Sequence, residues 1–222
     1  MWKRVLDLGC IILAMPVVAP LMGVIALGIK LVSPGPVFFR QERVGLGGRR
    51  FTIMKFRSMH DGASTGTHQN HLKDLMTSTK PMAKMDRRDP RVIPAGVLLR
   101  SSGLDELPQL INVWRGDMSL VGPRPCTIYE FEQYREDQKE RFHTLPGLTG
   151  LWQVSGKNRT TFARMIELDI DYVRRKSPWM DVWIMLRTPV VLFLQFMEAT
   201  GKRNGSPEKA PKTETIASSV SH

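Results

Sequence analysis

Cysteine is scarce in this sequence. Only two cysteines, Cys10 and Cys126, occur in 222 residues, and Cys10 lies inside an apolar run. A disulfide framework is therefore not expected, and a reducing cytoplasmic setting is the simpler interpretation. His68 and His71 have a spacing that metal ligands use, but no cysteine or third ligand is near them in sequence. We therefore do not predict a zinc site there.

Acidic residues are also few. Aspartate and glutamate number 21 against 32 lysines and arginines, which gives a net charge of +11. This balance favours polyanionic partners: nucleic acid, an anionic membrane surface or phosphorylated substrates. Few aromatic residues are interleaved with the basic ones, which argues against single-stranded nucleic acid, because its binding uses aromatic stacking. No internal repeat is present, and the length allows one domain with a proper core.

One long apolar run, Val5–Ile29, contains a single charge, Asp7. A signal peptide is not expected, because the run is too long and no small-x-small cleavage site follows it. A spanning helix fits the length. However, Pro16 and Pro20 remove amide donors from the middle of the run, and basic residues flank both ends, which predicts that both ends are cytoplasmic. We therefore favour a re-entrant helix broken at these prolines, with a spanning helix as the alternative.

A hairpin is predicted after this run. Residues 37–39 form a short apolar segment, ended by a basic residue, residues 44–48 are rich in glycine, and Phe51–Arg57 has the length and composition of a strand. Alternation along that strand places Lys55 and Arg57 on one face. The face is either a phosphate-binding surface or an ordinary solvated one.

Two adjacent acids, Asp105 and Glu106, are flanked by apolar residues and followed by Pro108. Proline is tolerated in a first helical turn, so a helix from about Asp105 to Trp114 is predicted. The acids would lie at its N-terminus, where the helix dipole favours their charged forms. Two such charges require a cation, and Mg²⁺ is the natural one where phosphates are also bound.

Arg124 lies between Pro123 and Pro125. The rigid backbone lowers the entropy cost of aiming the guanidinium, a group that binds phosphate in bidentate fashion. Residues 146–159 are rich in glycine and end with two cations. Their backbone amides form either an anion cradle or an ordinary surface loop.

The sequence divides into three predicted parts. Residues 1–33 form the membrane helix, 34–197 a catalytic domain on the cytoplasmic face, and 198–222 a disordered tail. Within the second part, Ser177–Phe196 is mostly apolar but interrupted by Arg187 and Pro189, which leaves it too short to span a bilayer. An interfacial helix or a core helix is expected instead.

Several segments together resemble those of the bacterial sugar transferases, which are monotopic polyprenyl-phosphate phosphoglycosyltransferases. They occur in order over about residues 1–195, and the long central block is highly specific. The matching segments are Lys3-Arg4-x-x-Asp7, Ser33-Pro34-Gly35-Pro36-Val37-Phe38-Phe39, Arg43-Val44-Gly45, Lys55-Phe56-Arg57-Ser58-Met59, Asp89-Pro90-Arg91, Leu104 through Leu110, Gly116 through Pro125, and Pro146 through Val154.

The resemblance implies an α+β, mostly helical monotopic membrane protein with an N-terminal re-entrant helix, a small β-hairpin and amphipathic interfacial helices. One departure concerns the helix break, where the family commonly has Ser-Pro and this chain has Ala19-Pro20. A second is Gly103, where the family often has Ser or Thr, so capping would rest on Ser102 or Asp105. Larger relatives carry an extra membrane domain, and no corresponding segment is expected before residue 1.

The resemblance also implies a reaction. Asp105 would attack the β-phosphorus of a UDP-sugar, release UMP and carry the phosphosugar as a mixed anhydride until polyprenyl phosphate accepts it. Glu106, with Asp105, would hold Mg²⁺. The expected substrate-binding residues are Lys55, Arg57, Arg91, Arg124, Pro123 and Gln153.

The implied location is the cytoplasmic face of the bacterial inner membrane, in contact with inner-leaflet lipid. The implied role is the first membrane step of exopolysaccharide, capsule or O-antigen-type glycan assembly, with a hexose slightly favoured over an N-acetyl sugar. No nucleic acid partner is expected, and the oligomeric state, a homo-oligomer included, is open. The alternative is a membrane-tethered, non-catalytic module that binds anions or lipid.

Overall fold

A computed structural model describes residues 2–60, 73–76, 78, 81–82, 91–156 and 159–201. The architecture is mostly helical with a small amount of sheet, as predicted. The helices are α1 (Trp2–Val32), α2 (Gly96–Ser102), α3 (Gln109–Arg115), α4 (Ile128–Gln133), α5 (Leu151–Val154), α6 (Phe162–Arg175) and α7 (Pro178–Gly201), and the strands are β1 (Phe38–Val44), β2 (Arg50–Phe56), β3 (Ser119–Val121) and β4 (Gly147–Thr149). Short 3₁₀ turns lie at Leu46–Gly48, Leu104–Glu106 and Glu136–Phe142.

Strands β1 and β2 form the predicted hairpin. They pair antiparallel from Phe38 opposite Phe56 to Val44 opposite Arg50. The sequence predicted a first strand that ends before Arg40, and this was wrong, because pairing with β2 extends the strand to Val44. Two residues of the connecting turn have positive φ, which glycine adopts without steric cost.

Strands β3 and β4 are parallel and pass very close to each other. The Gly147 amide donates to the Pro123 carbonyl at 2.8 Å, and the Gly122 amide donates to the Thr149 carbonyl at 2.9 Å. A Cβ atom on Gly147 would lie 2.0 Å from the Gly122 nitrogen. The glycines therefore permit close strand contact, and these amides are not available for the predicted anion cradle. Lys157 lies outside the described residues.

The start of α1 is fixed to the rest of the chain by polar contacts. Lys3 Nζ donates to Asp181 Oδ2 at 2.7 Å, and the Arg4 guanidinium donates to carbonyls at the end of α3. Asp7 Oδ1 accepts from Ser119 Oγ at 3.0 Å and from the Leu120 amide at 2.9 Å. The charges before the apolar run therefore anchor the helix and are not simply a solvated flank.

Helix α1 contacts this body along its whole length. Ile11 packs in a cluster with residues of β2 and α3, and Ile29 packs in another with Phe56 and Leu99. The helix assignment continues through Pro16 and Pro20, so the predicted break does not interrupt the secondary structure. The membrane path of the helix stays a prediction.

Helix α7 is longer than the sequence predicted. It ends at Gly201, beyond the expected Phe196, and Arg187 and Pro189 interrupt the apolar sequence without ending the helix. Two helices are long and apolar enough by length and composition to cross a membrane: α1, with mean hydropathy 2.5, and residues Pro178–Met197, with 1.4. Only 6% and 11% of these windows are buried, which argues against α7 as a core helix. Residues 202–222, most of the predicted tail, lie outside the described chain.

The largest apolar core surrounds α6. Met165 and Tyr172 of this helix and Ile184 of α7 are fully buried in it, together with Trp152 of α5. Thr161 caps α6, since its side chain accepts from the Arg164 amide. This core supports the loop after β3, where Arg124 lies.

Candidate functional site

The acidic pair lies in a short 3₁₀ turn rather than at the start of one long helix. Leu104–Glu106 forms the turn, and α3 begins after Pro108, which occupies its N-cap position. The turn follows Gly103, whose φ of 76° is in the left-handed region. A residue with a Cβ is strained in that conformation, which accounts for glycine at this position. The Leu104 amide donates to Ser102 Oγ at 3.4 Å, in agreement with the expected use of Ser102 near this turn.

The two acids differ in environment. Asp105 is 7% exposed, whereas the Glu106 side chain is 34% exposed. Lys55 Nζ donates to Glu106 Oε1 at 2.9 Å, so the second strand of the hairpin brings its cation directly to the pair. The buried acid is thus adjacent to a partly exposed ion pair.

Asn112 fixes the relative position of these elements. It is completely buried, and its side-chain amide donates to the Thr52 carbonyl at 2.7 Å and accepts from the Met54 amide at 3.1 Å. These two bonds hold α3 against the backbone of β2. Because Lys55 follows Met54 directly, the same contact sets the distance between Lys55 and Glu106.

Arg124 lies close to a second, buried carboxylate. Its Nη1 donates to Glu130 Oε1 at 2.7 Å, and Glu130 is fully buried at the start of α4. Burial alone would raise the pKa of Glu130, but the charges of Arg124 and Arg43 and the Thr127 amide outweigh it and lower the pKa to about 2. Glu130 is therefore a permanent anion that holds Arg124.

Arg43 lies beside the Arg124–Glu130 pair and on the same strand face as Lys55. It was not singled out as a site residue from the sequence. Burial lowers the pKa of its guanidinium to about 10, the charge of Arg124 acts in the same direction, and Glu130 and Glu106 oppose both. Arg43 Nη1 lies 3.8 Å from Glu130 Oε2, and the charge of Glu106 also acts on it. Alternation in β1, together with the pairing of Phe39 opposite Lys55, puts Arg43 on the same face as Lys55. The alternation of residues along β1 is therefore the sequence feature that could have identified Arg43 as a site residue.

Arg57 does not share a binding face with Lys55. It follows β2, is 4% exposed, and donates to the Pro34 carbonyl at 2.6 Å and the Ser33 carbonyl at 2.8 Å. The predicted joint face was wrong, because the guanidinium is engaged by the turn that ends α1. This contact indicates an anchoring role for Arg57.

The remaining predicted residues lie in two places. Pro123 is buried and Gln153 half-buried beside the glycine crossing, where a Cβ on Gly150 would lie 2.9 Å from Gln153 Oε1 and 2.1 Å from the Gly122 carbonyl oxygen. The Arg91 carbonyl accepts from the His60 amide at 2.7 Å, a short distance after the end of β2. Thus Pro123, Arg124 and Gln153 share one region, and Lys55, Asp105 and Glu106 another.

The acidic pair suits a hard cation bound together with a phosphorylated ligand. Within the described residues, no group of three or more His, Cys, Asp or Glu side chains could hold a metal ion. Mg²⁺ commonly takes only one or two protein carboxylates and completes its shell with water and substrate phosphates. Two adjacent carboxylates fit that requirement. The histidine pair at 68 and 71 lies outside the described chain.

An apolar groove lies between α1 and α3. Its volume is about 480 Å³, and only apolar side chains line it: Ile11, Ile12, Met15, Pro16, Leu110, Ile111 and Trp114. The wall formed by α3 begins directly after the turn that holds the acidic pair. An apolar chain in the groove would therefore contact α3, the helix that follows the acidic turn.

The fold and the site define a class: a helical α+β protein with two exposed apolar helices and a cluster of acids and cations suited to phosphorylated ligands. The model of the family described as bacterial sugar transferase matches residues 1–195. The chain belongs to this family.

Several named sugar transferases are similar to this protein over most of its sequence. A Caulobacter vibrioides protein named UDP-glucose:undecaprenyl-phosphate glucose-1-phosphate transferase is 44% identical over 84% of this chain and 67% of its own length. A Salmonella typhimurium protein named undecaprenyl-phosphate galactose phosphotransferase is 38% identical over 86% of this chain and 40% of its own length. An Escherichia coli protein with the same name as the Caulobacter relative is 38% identical over 84% of this chain. The chain spans 39% of that protein and between about a third and two thirds of the length of the curated relatives it matches.

Proposed function

We propose that the protein transfers a sugar 1-phosphate from a UDP-sugar to polyprenyl phosphate and releases UMP. The names of two relatives describe the transfer of a sugar phosphate to undecaprenyl phosphate, which supports this reaction. The observation that carries the proposal is the buried Asp105 beside the Glu106–Lys55 pair, whose Nζ–Oε1 distance is 2.9 Å. The reaction would be the first membrane step in the assembly of a lipid-linked glycan.

In the first half-reaction, an Asp105 carboxylate oxygen attacks the β-phosphorus of the UDP-sugar. A bond forms between this oxygen and phosphorus, and the bond from phosphorus to the bridging oxygen breaks, so that UMP leaves. Low exposure of Asp105 limits water at the resulting mixed anhydride. Lys55 and Arg124 supply positive charge for the phosphates, since charge stabilisation dominates phosphoryl transfer.

In the second half-reaction, a phosphate oxygen of polyprenyl phosphate attacks the same phosphorus. The bond to Asp105 breaks, and the carboxylate is regenerated. The apolar groove between α1 and α3 supports this step, since it offers an apolar surface beside the acidic turn for part of the prenyl chain. Splitting the transfer into two steps predicts ping-pong kinetics.

Glu106, with Asp105, would hold Mg²⁺. The ion would neutralise the diphosphate and so stabilise the leaving UMP. Lys55 Nζ holds Glu106 through Oε1 at 2.9 Å. The chain's own part is therefore to orient Glu106 and to keep Asp105 shielded from water.

The test is UMP release from a panel of UDP-sugars, measured on detergent-solubilised protein with and without polyprenyl phosphate. We expect UMP from one donor, with a hexose donor such as UDP-glucose or UDP-galactose favoured over an N-acetyl sugar, and product on the lipid phosphate. Binding of donor or anionic lipid with no UMP from any donor would instead support the alternative, a non-catalytic anion- or lipid-binding module.

We further propose that α1 is re-entrant, so that both of its ends lie on the cytoplasmic face of the inner membrane. Contacts at both ends of the helix support this topology. Lys3 near the start bonds to Asp181, and Ile29 near the end packs against Phe56. A straight helix of this length measures roughly 45 Å at about 1.5 Å per residue. A helix that crossed the bilayer would carry one end far from a body on the cytoplasmic side.

Cysteine labelling tests this topology. In a Cys10→Ser, Cys126→Ser background, one cysteine is placed before Trp2 and another at Ser219. A membrane-impermeant maleimide should label both in inverted vesicles and neither in intact spheroplasts. If the N-terminal cysteine is labelled in spheroplasts and the cysteine at position 219 is not, α1 spans the membrane.

A further inference from the structure

Glu130 has two arginines beside its single carboxylate. Arg124 Nη1 donates to Oε1 at 2.7 Å, and Arg43 Nη1 lies 3.8 Å from Oε2. The Thr127 amide also donates to Oε2, at 2.6 Å. The Arg43 distance allows an ion pair but is too long for a hydrogen bond. Glu130 is therefore bonded to one arginine while a second stands within reach.

Arg43 is held in an incompletely satisfied state. Its side chain is 10% exposed, and Nη2 donates to Gln41 Oε1 at 2.6 Å. Among the described residues, the buried Nε and Nη1 atoms of Arg43 have no hydrogen-bond partner. Buried N–H groups without partners cost free energy and are rare in native proteins, so this state requires a reason.

Arg124 retains donors for a ligand. Its side chain is 22% exposed, and within the described part of the chain its guanidinium makes a side-chain hydrogen bond through Nη1 to Glu130. Its own carbonyl is held by Arg141 Nη2 at 3.0 Å, which fixes the backbone of the loop. The guanidinium is therefore the part of Arg124 that can turn toward phosphates.

A turn of Arg124 toward a phosphate would weaken its bond to Glu130. A buried carboxylate that loses its cation is strongly destabilised. A shift of about 1 Å would bring Arg43 Nη1 from ion-pair distance to hydrogen-bond distance of Glu130. The same shift would satisfy one of the unpartnered donors.

We propose that Arg43 is a positioning residue that takes over Glu130 when Arg124 turns to the diphosphate of the nucleotide-sugar. The inference rests on the proposed function, because it assigns the phosphates of that donor to Arg124. Arg43 does not touch the substrate. It acts through Glu130, so that Arg124 can exchange a protein carboxylate for a phosphate without leaving a buried charge unpaired.

Steady-state kinetics of two variants test this exchange. Arg43→Gln should raise KM for the UDP-sugar by about tenfold or more, because one charge-assisted hydrogen bond is lost on binding, with kcat nearly unchanged. Arg43→Gln with Glu130→Gln should return KM toward the wild-type value, since a neutral side chain at 130 no longer retains Arg124. A purely structural role predicts that the double variant shows no recovery of KM relative to Arg43→Gln.

Controls separate folding from exchange. Arg135→Gln removes an exposed arginine that, among the described residues, pairs with Asp137 on the surface, and it should leave KM unchanged. Arg43→Lys keeps the charge and should stay within about threefold of wild type. If thermal unfolding shows that Arg43→Gln does not fold, Arg43→Lys replaces it as the variant at this position. An unchanged KM in Arg43→Gln, or a double variant without recovery, overturns the proposal.

A failure of the proposed function can be distinguished from a failure of the exchange between Arg43 and Arg124. If the wild type releases no UMP from any donor, that function fails, and the exchange is then measured as the affinity for UDP by calorimetry. Arg43→Gln should weaken UDP binding and the double variant should restore it. Equal UDP affinities in all three proteins would overturn the exchange itself.

Discussion

Asp105→Asn should reduce sugar-phosphate transfer by at least about a thousandfold, because the amide lacks the nucleophilic oxygen that would carry the phosphosugar. The substitution is nearly isosteric, and the side chain is buried in a short turn between Gly103 and Pro108. The stability of the protein should therefore change little. UMP release and retention of radiolabelled phosphate on the protein both measure the effect.

The control for this substitution is Asp171→Asn. Asp171 is on the exposed part of α6 and pairs with Arg175 at 3.2 Å. Its variant should stay within about twofold of wild-type activity, since exposed ion pairs contribute little. Transfer at a normal rate by the Asp105 variant would remove the nucleophile from the mechanism.

Arg141→Met should lower the free energy of unfolding by about 3–5 kcal/mol, because it leaves the buried carboxylate of Asp169 without its cation. Both side chains are essentially inaccessible, at 0% and 1% exposure. Arg141 also donates to the Arg124 carbonyl at 3.0 Å and to the Tyr134 hydroxyl. Urea unfolding in detergent micelles, followed by tryptophan fluorescence, measures the loss.

Arg174→Met is the matched control. Arg174 bonds Glu140 through Nε at 2.8 Å, but its side chain is 65% exposed. This change should cost no more than about 1 kcal/mol. A loss of the same small size for Arg141→Met would show that the buried pair contributes no more than a surface pair. Adding Asp169→Leu to Arg141→Met should recover part of the lost stability, because the unpaired buried carboxylate is then removed as well.

Local sequence patterns predicted much of the fold. Strand-like composition and a glycine-rich turn predicted the hairpin, and the paired strands Phe38–Val44 and Arg50–Phe56 confirm it. Apolar length predicted a long N-terminal helix, which runs from Trp2 to Val32. These features depend on steric preferences and periodicity within one segment. They are accordingly visible in the sequence.

Helix boundaries were predicted less well where tertiary contacts override local preference. A single helix from Asp105 was expected, but Gly103 adopts a left-handed conformation and α3 begins only after Pro108. Proline is compatible with both arrangements, so its presence could not separate them. Likewise, α7 continues through Pro189, although proline lacks the amide that a helix interior uses.

The sequence by itself determined the chemistry available to the site and the family to which the chain belongs. Adjacent acids, an arginine between prolines and an apolar N-terminal run are local patterns, and residues 1–195 match the family model. Only the tertiary structure decided how the cations are used. Arg57 anchors a turn, Lys55 pairs with Glu106, and Arg43 stands beside Glu130. Burial and distance between residues remote in the chain set these roles, and no local pattern encodes either quantity.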